Sequence, residues 1–385
     1  MKKIKVLQFP VANTKGGVTR YALENWRFID KSRFAFDFAT LSPVFSPEEE
    51  LRRQGCEVFH LKKYAEDDEK SFRREFAEIL QKGNYDVVHL HTPYWKSLNA
   101  EYVAKEAGVK RIIVHAHNTQ VGGMDAKAPS AETLMRFAAV KNAFTEDLAT
   151  DYWACSKMAG DFLFSGRIPP EKVRVMCNAI DLERFSFSEI ARQKIRGDFE
   201  VTDKDFLIGN IAAFEYQKNQ EFLLRVFRHI HEKNPQTKLL LVGKGPKEEE
   251  YRQFVAENNL TDSVIFAGYR NDVPALLSAM DLFVLPSRFE GLAIVLVDAQ
   301  AGSLYCLASN TTPRESCLTG RIEYLPLEEK LWQNKIMHFT LNPPGKKDCR
   351  KEIAAAGYDI RQAIKKVEAG YAGELNDGTS LCLDR

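Results

Sequence analysis

Short apolar runs alternate with segments of helical periodicity along the first part of the chain. The runs are too short for helices and are bounded by polar or turn-forming residues, a pattern that is typical of buried strands. Strands are predicted at residues 5–9, 34–41, 57–61, 86–91, 111–119 and 152–155. Because strands alternate with helical segments, the pattern predicts βα units and a parallel sheet.

The same alternation returns in the second part of the chain. Strands are predicted at residues 206–214, 238–242, 264–270, 282–285 and 305–309. A polar run at residues 186–204 separates the two series, and we interpret it as a linker. The pattern therefore predicts an α/β protein with domains at residues 1–185 and 186–355, followed by a helical tail at residues 356–385.

The helical segment at residues 70–81 has two interpretations. Phe72, Phe76 and Leu80 recur at the spacing of one helix face, and basic residues lie elsewhere on the helix. Such a helix could rest on an anionic membrane surface. The alternative, which we favour, is an ordinary amphipathic helix whose apolar face packs against the protein.

Composition narrows the class of protein. The chain has 385 residues, too many for one ordinary core, and its 44% hydrophobic and 28% charged residues are typical of soluble proteins. A net charge of +1 gives no basic field for nucleic acid. Seven cysteines without CxxC spacing predict reduced thiols, and no run approaches the roughly 20 apolar residues of a membrane span. We expect a cytoplasmic protein whose membrane contact, if any, is peripheral.

The stretch at residues 286–302 is the part of the sequence with the most distinctive chemistry. The pattern predicts a strand, a polar loop, and a helix that begins at Gly291 and ends at Gly302. Glu290 would then lie at the carboxyl end of the strand, where open α/β sheets bind ligands, with Asp298 about two helical turns later. The alternative is that Glu290 caps the helix and Asp298 is a solvated helix residue.

Three places in the sequence suit the binding of phosphates. The amides of Leu292 and Ala293 would be free donors in the first turn of the predicted helix. Lys218 directly precedes another predicted helix and would add a full positive charge to that helix's N-terminus. Gly16 and Gly17 form a loop after the first strand, where a backbone could approach a ligand closely. This loop lacks the GxGxxG spacing, so a nicotinamide cofactor is disfavoured.

Histidines end two of the predicted strands. His89 and His91 close one strand, and His115 and His117 close another, at a spacing that places each pair on one strand face. Imidazoles so placed could share a metal ion. No Asp or Cys accompanies them closely, so we expect no bound metal. Packing and hydrogen bonding at the strand ends is the alternative role for His89 and His91.

These segments together resemble one enzyme family. The stretch from Glu290 to Asp298 is similar to the Glu, seven residues, Glu signature of the retaining glycosyltransferases of family 4. The histidine pair that ends at His117 resembles the family's HxH strand end, and residues 173–181 resemble its V-x-x-N-G-I-D segment. The resemblance extends over most of the chain. It implies the GT-B architecture, in which two Rossmann-like, doubly wound domains face each other across a cleft and the last helix returns to the first domain.

The resemblance also implies roles for residues and partners. Glu290 would contact sugar hydroxyls, Asp298 the ribose, and His117 the sugar near its reacting carbon. Lys218 and Gly291 to Ala293 would hold the donor diphosphate, bordered by Gly16 and Gly17, and the backbone of Arg270 would hold the base. The donor would be a nucleotide diphosphate sugar, with uridine favoured, and catalysis would need no metal or other cofactor. The acceptor would be a glycan or a lipid-linked glycan in capsule or exopolysaccharide synthesis.

Several positions depart from the family pattern. Asp298 stands where the second Glu is usual, Ala213 where an arginine joins the lysine on the diphosphate, and Asn310 where aspartate is common. Loss of one charge-assisted contact is worth about 1.5–3 kcal/mol. Two other functions therefore stay open: a binding protein derived from a transferase, and a nucleotide-sugar epimerase or phosphorylase-like enzyme of the same fold.

Overall fold

The computed structural model describes residues 2–13, 17–122 and 128–375, which form two compact units. The first unit contains the described residues of Met1–Val121, Pro129–Ala179 and Gly357–Arg385. The second contains those of Gly122–Ala128 and Ile180–Ala356. The chain thus passes from one unit to the other between Ala179 and Ile180, slightly before the boundary that the sequence predicts at residue 185.

In its described part, the first unit is built on a parallel sheet of seven strands. They are β1 (Ile4–Val11), β2 (Phe34–Thr40), β3 (Val58–His60), β4 (Val87–Thr92), β5 (Arg111–Ala116), β6 (Asp151–Ala154) and β7 (Val173–Val175). Their order is β3-β2-β1-β4-β5-β6-β7. The direction of winding reverses between β1 and β4, and such a switch point leaves a crevice outside the carboxyl ends of the strands.

Helices connect these strands. They are α1 (Gly17–Phe28), α2 (Glu48–Arg53), α3 (Glu69–Gly83), α4 (Asn99–Glu106), α5 (Ala131–Ala143) and α6 (Lys157–Phe164). The core of the unit is rich in aromatic side chains, among them Trp26, Phe38 and Trp153.

Helix α3 is an ordinary amphipathic helix. Its N-cap Asp68 accepts a hydrogen bond from the Ser71 amide, and its apolar face is buried. The ring centroids of Phe72 and Phe76 lie 6.0 and 4.8 Å from that of Phe9 on β1. The membrane-surface interpretation of this helix is therefore wrong, because the side chains that would enter a membrane are packed against the sheet.

The second unit has a parallel sheet of six strands among its described residues. They are β8 (Phe206–Ile211), β9 (Thr237–Val242), β10 (Val264–Gly268), β11 (Leu282–Leu285), β12 (Tyr305–Ser309) and β13 (Ile322–Leu325). Their order is β10-β9-β8-β11-β12-β13, so that the switch point lies between β8 and β11.

The second unit also contains seven helices in the part that the structure describes. They are α7 (Glu189–Asp198), α8 (Gln220–Lys233), α9 (Glu248–Glu257), α10 (Val273–Ala279), α11 (Ile294–Ala301), α12 (Glu329–Leu341) and α13 (Arg350–Ala355). Its core includes Phe222, Phe227 and Trp332. No helix of the described residues in either unit is long and apolar enough to cross a membrane.

The predicted linker is wrong, because residues 186–204 contain helix α7. The buried guanidinium of Arg196 donates to the carbonyls of Thr202, Asp205 and Ala279 and to the carboxylate of Asp281. Composition misled the sequence analysis here, since the polar side chains that suggested a linker include a charge that holds the helix against the unit.

The last helix, α14 (Ile360–Ala372), belongs to the first unit. The carboxylate of Glu368 accepts a hydrogen bond of 2.9 Å from the Asp30 amide, and Tyr371 is fully buried in the core beside β4 and β6.

Candidate active site

Two loops at the switch point of the second sheet form the centre of the candidate site. One follows β8 and carries Lys218, and the other follows β11 and carries Glu290. The backbone amide of Arg288 donates to the Gln217 carbonyl at 2.7 Å, and the side-chain amide of Gln217 donates to the Phe289 carbonyl at 3.0 Å. The two loops are therefore fixed relative to each other by hydrogen bonds between them.

Lys218 and Glu290 form an ion pair. Nζ of Lys218 lies 2.7 and 2.8 Å from the two carboxylate oxygens of Glu290, and the Ser287 hydroxyl donates to the same carboxylate at 2.7 Å. The Glu290 side chain is 5% exposed and that of Lys218 is 22% exposed. The sequence predicted a ligand contact for each of them, but not their mutual pairing. Ser287 was also missed, because a serine in a strand-end loop carries no distinctive signal.

Helix α11 starts later than the sequence predicts. Its first residue is Ile294, and its N-cap is Ala293, whose backbone is not helical. Gly291 and Leu292 therefore belong to the loop, and the amides of Leu292 and Ala293 precede the helix instead of forming its first turn. Asp298 is nevertheless in α11 and is fully buried.

The ends of β8 and β9 pack closely beside this loop pair. A Cβ on Gly243 would lie 2.0 Å from the Ala212 carbonyl oxygen, and one on Gly245 would lie 2.4 Å from that of Phe214. Gly243 also has a φ of +145°, so both steric space and backbone conformation require glycine there. The turn carries the exposed Lys244, whose backbone carbonyl accepts a hydrogen bond of 3.0 Å from the Phe214 amide.

Arg270 follows β10 and is engaged by a near neighbour. Its guanidinium donates to both carboxylate oxygens of Asp272, at 2.8 and 2.6 Å. This hydrogen bonding lowers the pKa of Asp272 and raises that of Arg270. The Arg270 side chain is thus paired within its own loop. The predicted contact with the base involves the backbone of Arg270, not this side chain.

Two further charged side chains near Lys218 were missed. Burial raises the pKa of Glu215, and the neighbouring Glu290 carboxylate adds to that rise while Lys218 opposes it. Arg288 donates to the Tyr216 carbonyl at 2.6 Å and pairs with Glu221. The sequence pattern does not distinguish Glu215 or Arg288 from other loop residues, because their contacts are made with residues of another loop.

The first unit contains a separate group of predicted site residues. Gly17 begins α1, whereas Gly16 lies outside the described residues. His89 and His91 on β4, and His115 and His117 at the end of β5, project from the same face of the sheet and surround the ring of Tyr21. The first three histidines are fully buried, and His117 lies at the accessible end of the group.

Hydrogen bonds join these histidines to two residues that the sequence analysis did not name, Gln8 on β1 and Tyr371 on α14. We call the six side chains the histidine network; they are Gln8, His89, His91, His115, His117 and Tyr371. Nε2 of His91 lies 2.9 Å from Oε1 of Gln8, and Nδ1 of His91 lies 2.9 Å from Nε2 of His117. Tyr371 Oη lies 3.0 Å from Nε2 of Gln8 and 2.8 Å from Nδ1 of His89, whose Nε2 lies 3.0 Å from Nδ1 of His115.

The four imidazoles are neutral at physiological pH. Burial lowers the pKa of His117 to about 3 and lowers those of His89, His91 and His115 well below their ordinary value. Burial also raises the pKa of Tyr371. The network can therefore exchange hydrogen bonds with a ligand without carrying a charge.

A metal ion is the alternative role for this cluster. His89, His91 and His115 bring ligand nitrogens within 4.8 Å of one another. Within the described residues, however, all three rings already hydrogen-bond other side chains, and no carboxylate hydrogen-bonds any of the four histidines. A divalent ion there would be buried without a compensating negative charge, which is costly. The expectation of no bound metal stays a prediction.

Two family models match this chain over most of its length. The model described as "Glycosyltransferase Family 4" matches residues 15–184, and the model described as "Glycosyl transferases group 1" matches residues 191–319. The chain is 30% identical over 368 residues to "Putative glycosyltransferase EpsF" of Bacillus subtilis (strain 168), and the match covers 94% of both chains. It is 24% identical over 316 residues to "Capsular polysaccharide biosynthesis glycosyltransferase CapH" of Staphylococcus aureus, covering 80% of this chain and 81% of the relative.

The fold is also similar to a solved structure. Anabaena Alr3699/HepE, in complex with UDP and glucose, matches with a TM-score of 0.75 and 19% identity over 96% of this chain and all of the other. With its two parallel-sheet, Rossmann-like units, the chain has the predicted α/β fold of the GT-B class.

Proposed function

The chain belongs to glycosyltransferase family 4, and on that premise we propose that it transfers a hexose or N-acetylhexosamine from a UDP-sugar to a glycan or lipid-linked acceptor, with retention of the anomeric configuration. The observation that carries this proposal is the ion pair of Lys218 and Glu290 at the switch point of the second sheet. It places one cation and one hydrogen-bond acceptor where α/β sheets bind nucleotides.

Lys218 and Glu290 would separate when the donor binds. A diphosphate offers Lys218 a partner of greater charge, while the amides of Leu292 and Ala293 and the N-terminus of α11 add uncharged donors. Glu290, released from Lys218, then accepts hydrogen bonds from hydroxyls of the transferred sugar. Positive charge already in place beside the leaving diphosphate is electrostatic preorganisation, which lets departure proceed without a metal ion.

The nucleoside would lie farther along the same sheet edge. We assign the ribose to the carboxylate of Asp298 and the base to the backbone of Arg270, whose side chain is held by Asp272. The complex of the structurally similar HepE contains UDP and glucose, which supports uridine as the base.

His117 would act on the sugar as a neutral group. Because burial keeps its pKa near 3, the imidazole exchanges a hydrogen bond with a hydroxyl and does not donate a charge. Gly16 and Gly17 would border the donor phosphates and the acceptor, as the family resemblance implies.

The acceptor belongs to the synthesis of a cell-surface polysaccharide, as the name of CapH supports. Helix α5 is the surface that suits a lipid-linked acceptor or a membrane, since none of its side chains is buried and it exposes Leu134 and Met135. Sedimentation with anionic phospholipid vesicles tests this contact. Wild-type protein should sediment and Met135→Glu should not, whereas equal sedimentation of both would contradict the role of α5.

A thermal-shift screen in EDTA tests the proposed function. UDP, GDP, ADP and TDP are compared with their common sugar conjugates. A ligand at 100 times its dissociation constant stabilises by about 2.7 kcal/mol, which is a shift of a few degrees. We expect a shift with uridine nucleotides that Lys218→Ala reduces and the control Lys335→Ala retains. No shift with any nucleotide, in a folded sample, would contradict the proposal and favour a non-catalytic binding protein.

A further inference from the structure

The amide of Gln8 occupies a decisive position in the histidine network. It is 0% exposed and connects the two halves of the network. Oε1 lies 2.9 Å from Nε2 of His91, and Nε2 lies 3.0 Å from Tyr371 Oη. A primary amide accepts only through its oxygen and donates only through its nitrogen. Its orientation therefore fixes which atom must carry a proton on each side.

The first half of the network leads to His117. Because Oε1 of Gln8 can only accept, the neutral His91 must carry its proton on Nε2. Nδ1 of His91 is then an acceptor, and Nε2 of His117, at 2.9 Å, must donate to it. The remaining nitrogen of His117, Nδ1, keeps a bare lone pair and has no partner within the part of the chain that the structure describes.

The second half of the network leads from Gln8 to His115. The amide nitrogen of Gln8 donates to Tyr371, whose hydroxyl proton then goes to Nδ1 of His89 at 2.8 Å. Nε2 of His89 donates to Nδ1 of His115 at 3.0 Å. His115 is left with a proton on Nε2, a buried atom without a hydrogen-bond partner among the described residues. All four imidazoles thus have the proton on Nε2.

We propose that Gln8 is a positioning residue that fixes the tautomer of His117, so that Nδ1 of His117 accepts a hydrogen bond from a hydroxyl of the bound sugar. The opposite orientation of the amide would reverse every bond and place all four protons on Nδ1, which would make His117 a donor. The choice between acceptor and donor is thus made on β1, two hydrogen bonds away from His117. The tautomers follow from the hydrogen-bond geometry and the neutral state of the rings, and only the contact with the sugar rests on the proposed function.

Nitrogen NMR of the wild-type protein tests the tautomers without any variant. The full chain, labelled with ¹⁵N in its eight histidines and treated with EDTA, is measured at pH 7.5. Ring shifts and couplings distinguish a protonated nitrogen from a bare one. We expect His89, His91, His115 and His117 all to be neutral with the proton on Nε2. A proton on Nδ1 of His91 or His117 would overturn the inference.

A substitution then tests the consequence for binding. Gln8→Met has nearly the same size but neither donor nor acceptor, and Gln300→Met is the control at another fully buried glutamine. We expect Gln8→Met, but not the control, to give mixed tautomers of His91 and His117. Loss of one neutral hydrogen bond should weaken UDP-glucose binding up to about tenfold while UDP binding is unchanged.

The outcomes separate this inference from the proposed function. Equal affinities of wild type and Gln8→Met for UDP-glucose would overturn the positioning role, as would an equal loss for UDP and UDP-glucose. Failure of the wild-type protein to bind either ligand would contradict the proposed function, and the ring shifts would still decide the tautomers.

Discussion

Breaking the ion pair of Lys218 and Glu290 should affect stability and ligand binding in different ways. The relevant perturbations are Lys218→Ala, Glu290→Ala and the double variant, which form a double-mutant cycle. An exposed ion pair is worth about 0.2–1 kcal/mol, and breaking a fully buried pair costs about 3–5 kcal/mol. With side-chain exposures of 22% and 5%, this pair lies between these limits, and we expect a coupling free energy of about 1.5–3 kcal/mol.

The second unit supplies a matched control. Lys335 and Glu323 lie 2.6 Å apart, but their side chains are 32% and 33% exposed. The same cycle on this pair should give less than about 1 kcal/mol. Hydrogen exchange in increasing urea measures the opening of the second unit separately from the first. Equal coupling for the two pairs would refute the inference that burial strengthens the bond between Lys218 and Glu290.

The two single variants should differ in their affinity for UDP. Lys218→Ala removes the phosphate contact and should weaken UDP binding about 10- to 150-fold, equivalent to 1.5–3 kcal/mol. Glu290→Ala removes the competitor for Lys218, so UDP should bind equally well or more tightly, while the additional affinity for UDP-glucose is lost. Calorimetric titration with both ligands measures each effect. Weaker binding of UDP by Glu290→Ala would refute the proposed exchange of partners.

Three further predictions concern the framework around the site. Arg196→Met should lower the free energy of unfolding in urea by about 2–4 kcal/mol, because the carbonyls of Thr202 and Asp205 lose their donor, while Asp281 keeps its bonds from Arg192 and the Leu207 amide. The exposed Arg228→Met should change the free energy of unfolding by less than about 0.5 kcal/mol, and equal effects would contradict a packed α7. Phe76→Ala should lower the free energy of unfolding by about 3–5 kcal/mol, and a loss below about 1 kcal/mol would contradict a buried apolar face of α3. The imidazoles of the histidine network have pKa values below the unfolded value of about 6.5. Their contribution to the free energy of unfolding is therefore complete above about pH 6.5 and is lost as the pH falls below it, by about 1.4 kcal/mol per pH unit for each buried ring. Glu101, whose pKa burial raises to about 7, opposes this trend, and urea unfolding should show a net loss of about 2–4 kcal/mol between pH 7 and 5.5; constant stability over that range would contradict the neutral network.

The sequence predicted most of the strands because their apolar runs are continuous, but it did not predict β7 and β13. The predicted strand at residues 282–285 coincides with β11 (Leu282–Leu285), and that at residues 238–242 nearly coincides with β9 (Thr237–Val242). Strands buried on both faces leave a signal that depends on a few adjacent residues alone. The family resemblance implied two doubly wound domains, whereas the order of the strands was not predicted.

Element boundaries that depend on polar residues were predicted less well. Gly291 was assigned to the start of α11 because glycine and a following apolar run resemble a helix start, but the helix begins at Ile294. Helix α7 was assigned to a linker because its buried charge, Arg196, cannot be distinguished from a solvated arginine by composition. For α7, the tertiary hydrogen bonds of Arg196 decide the outcome.

The pairing of site residues could not be predicted from spacing. Gln8 and Tyr371 are 363 positions apart, and Lys218 and Glu290 are 72 apart. Each residue has a plausible separate role in the sequence, and only the topology brings the partners together. The histidines were noticed because they share strand faces, whereas the glutamine that orients them looks like any polar residue in a strand.

Retaining transfer without a metal ion is tested most directly by the configuration of the first product. UDP-glucose, whose glucose is α-linked, is incubated in EDTA with water as the acceptor, and the anomeric protons are followed by NMR before mutarotation. We expect α-glucose to form first with the wild-type protein, and no release above background with Glu290→Ala. Initial release of β-glucose, or turnover only after a divalent ion is restored, would contradict the proposed mechanism.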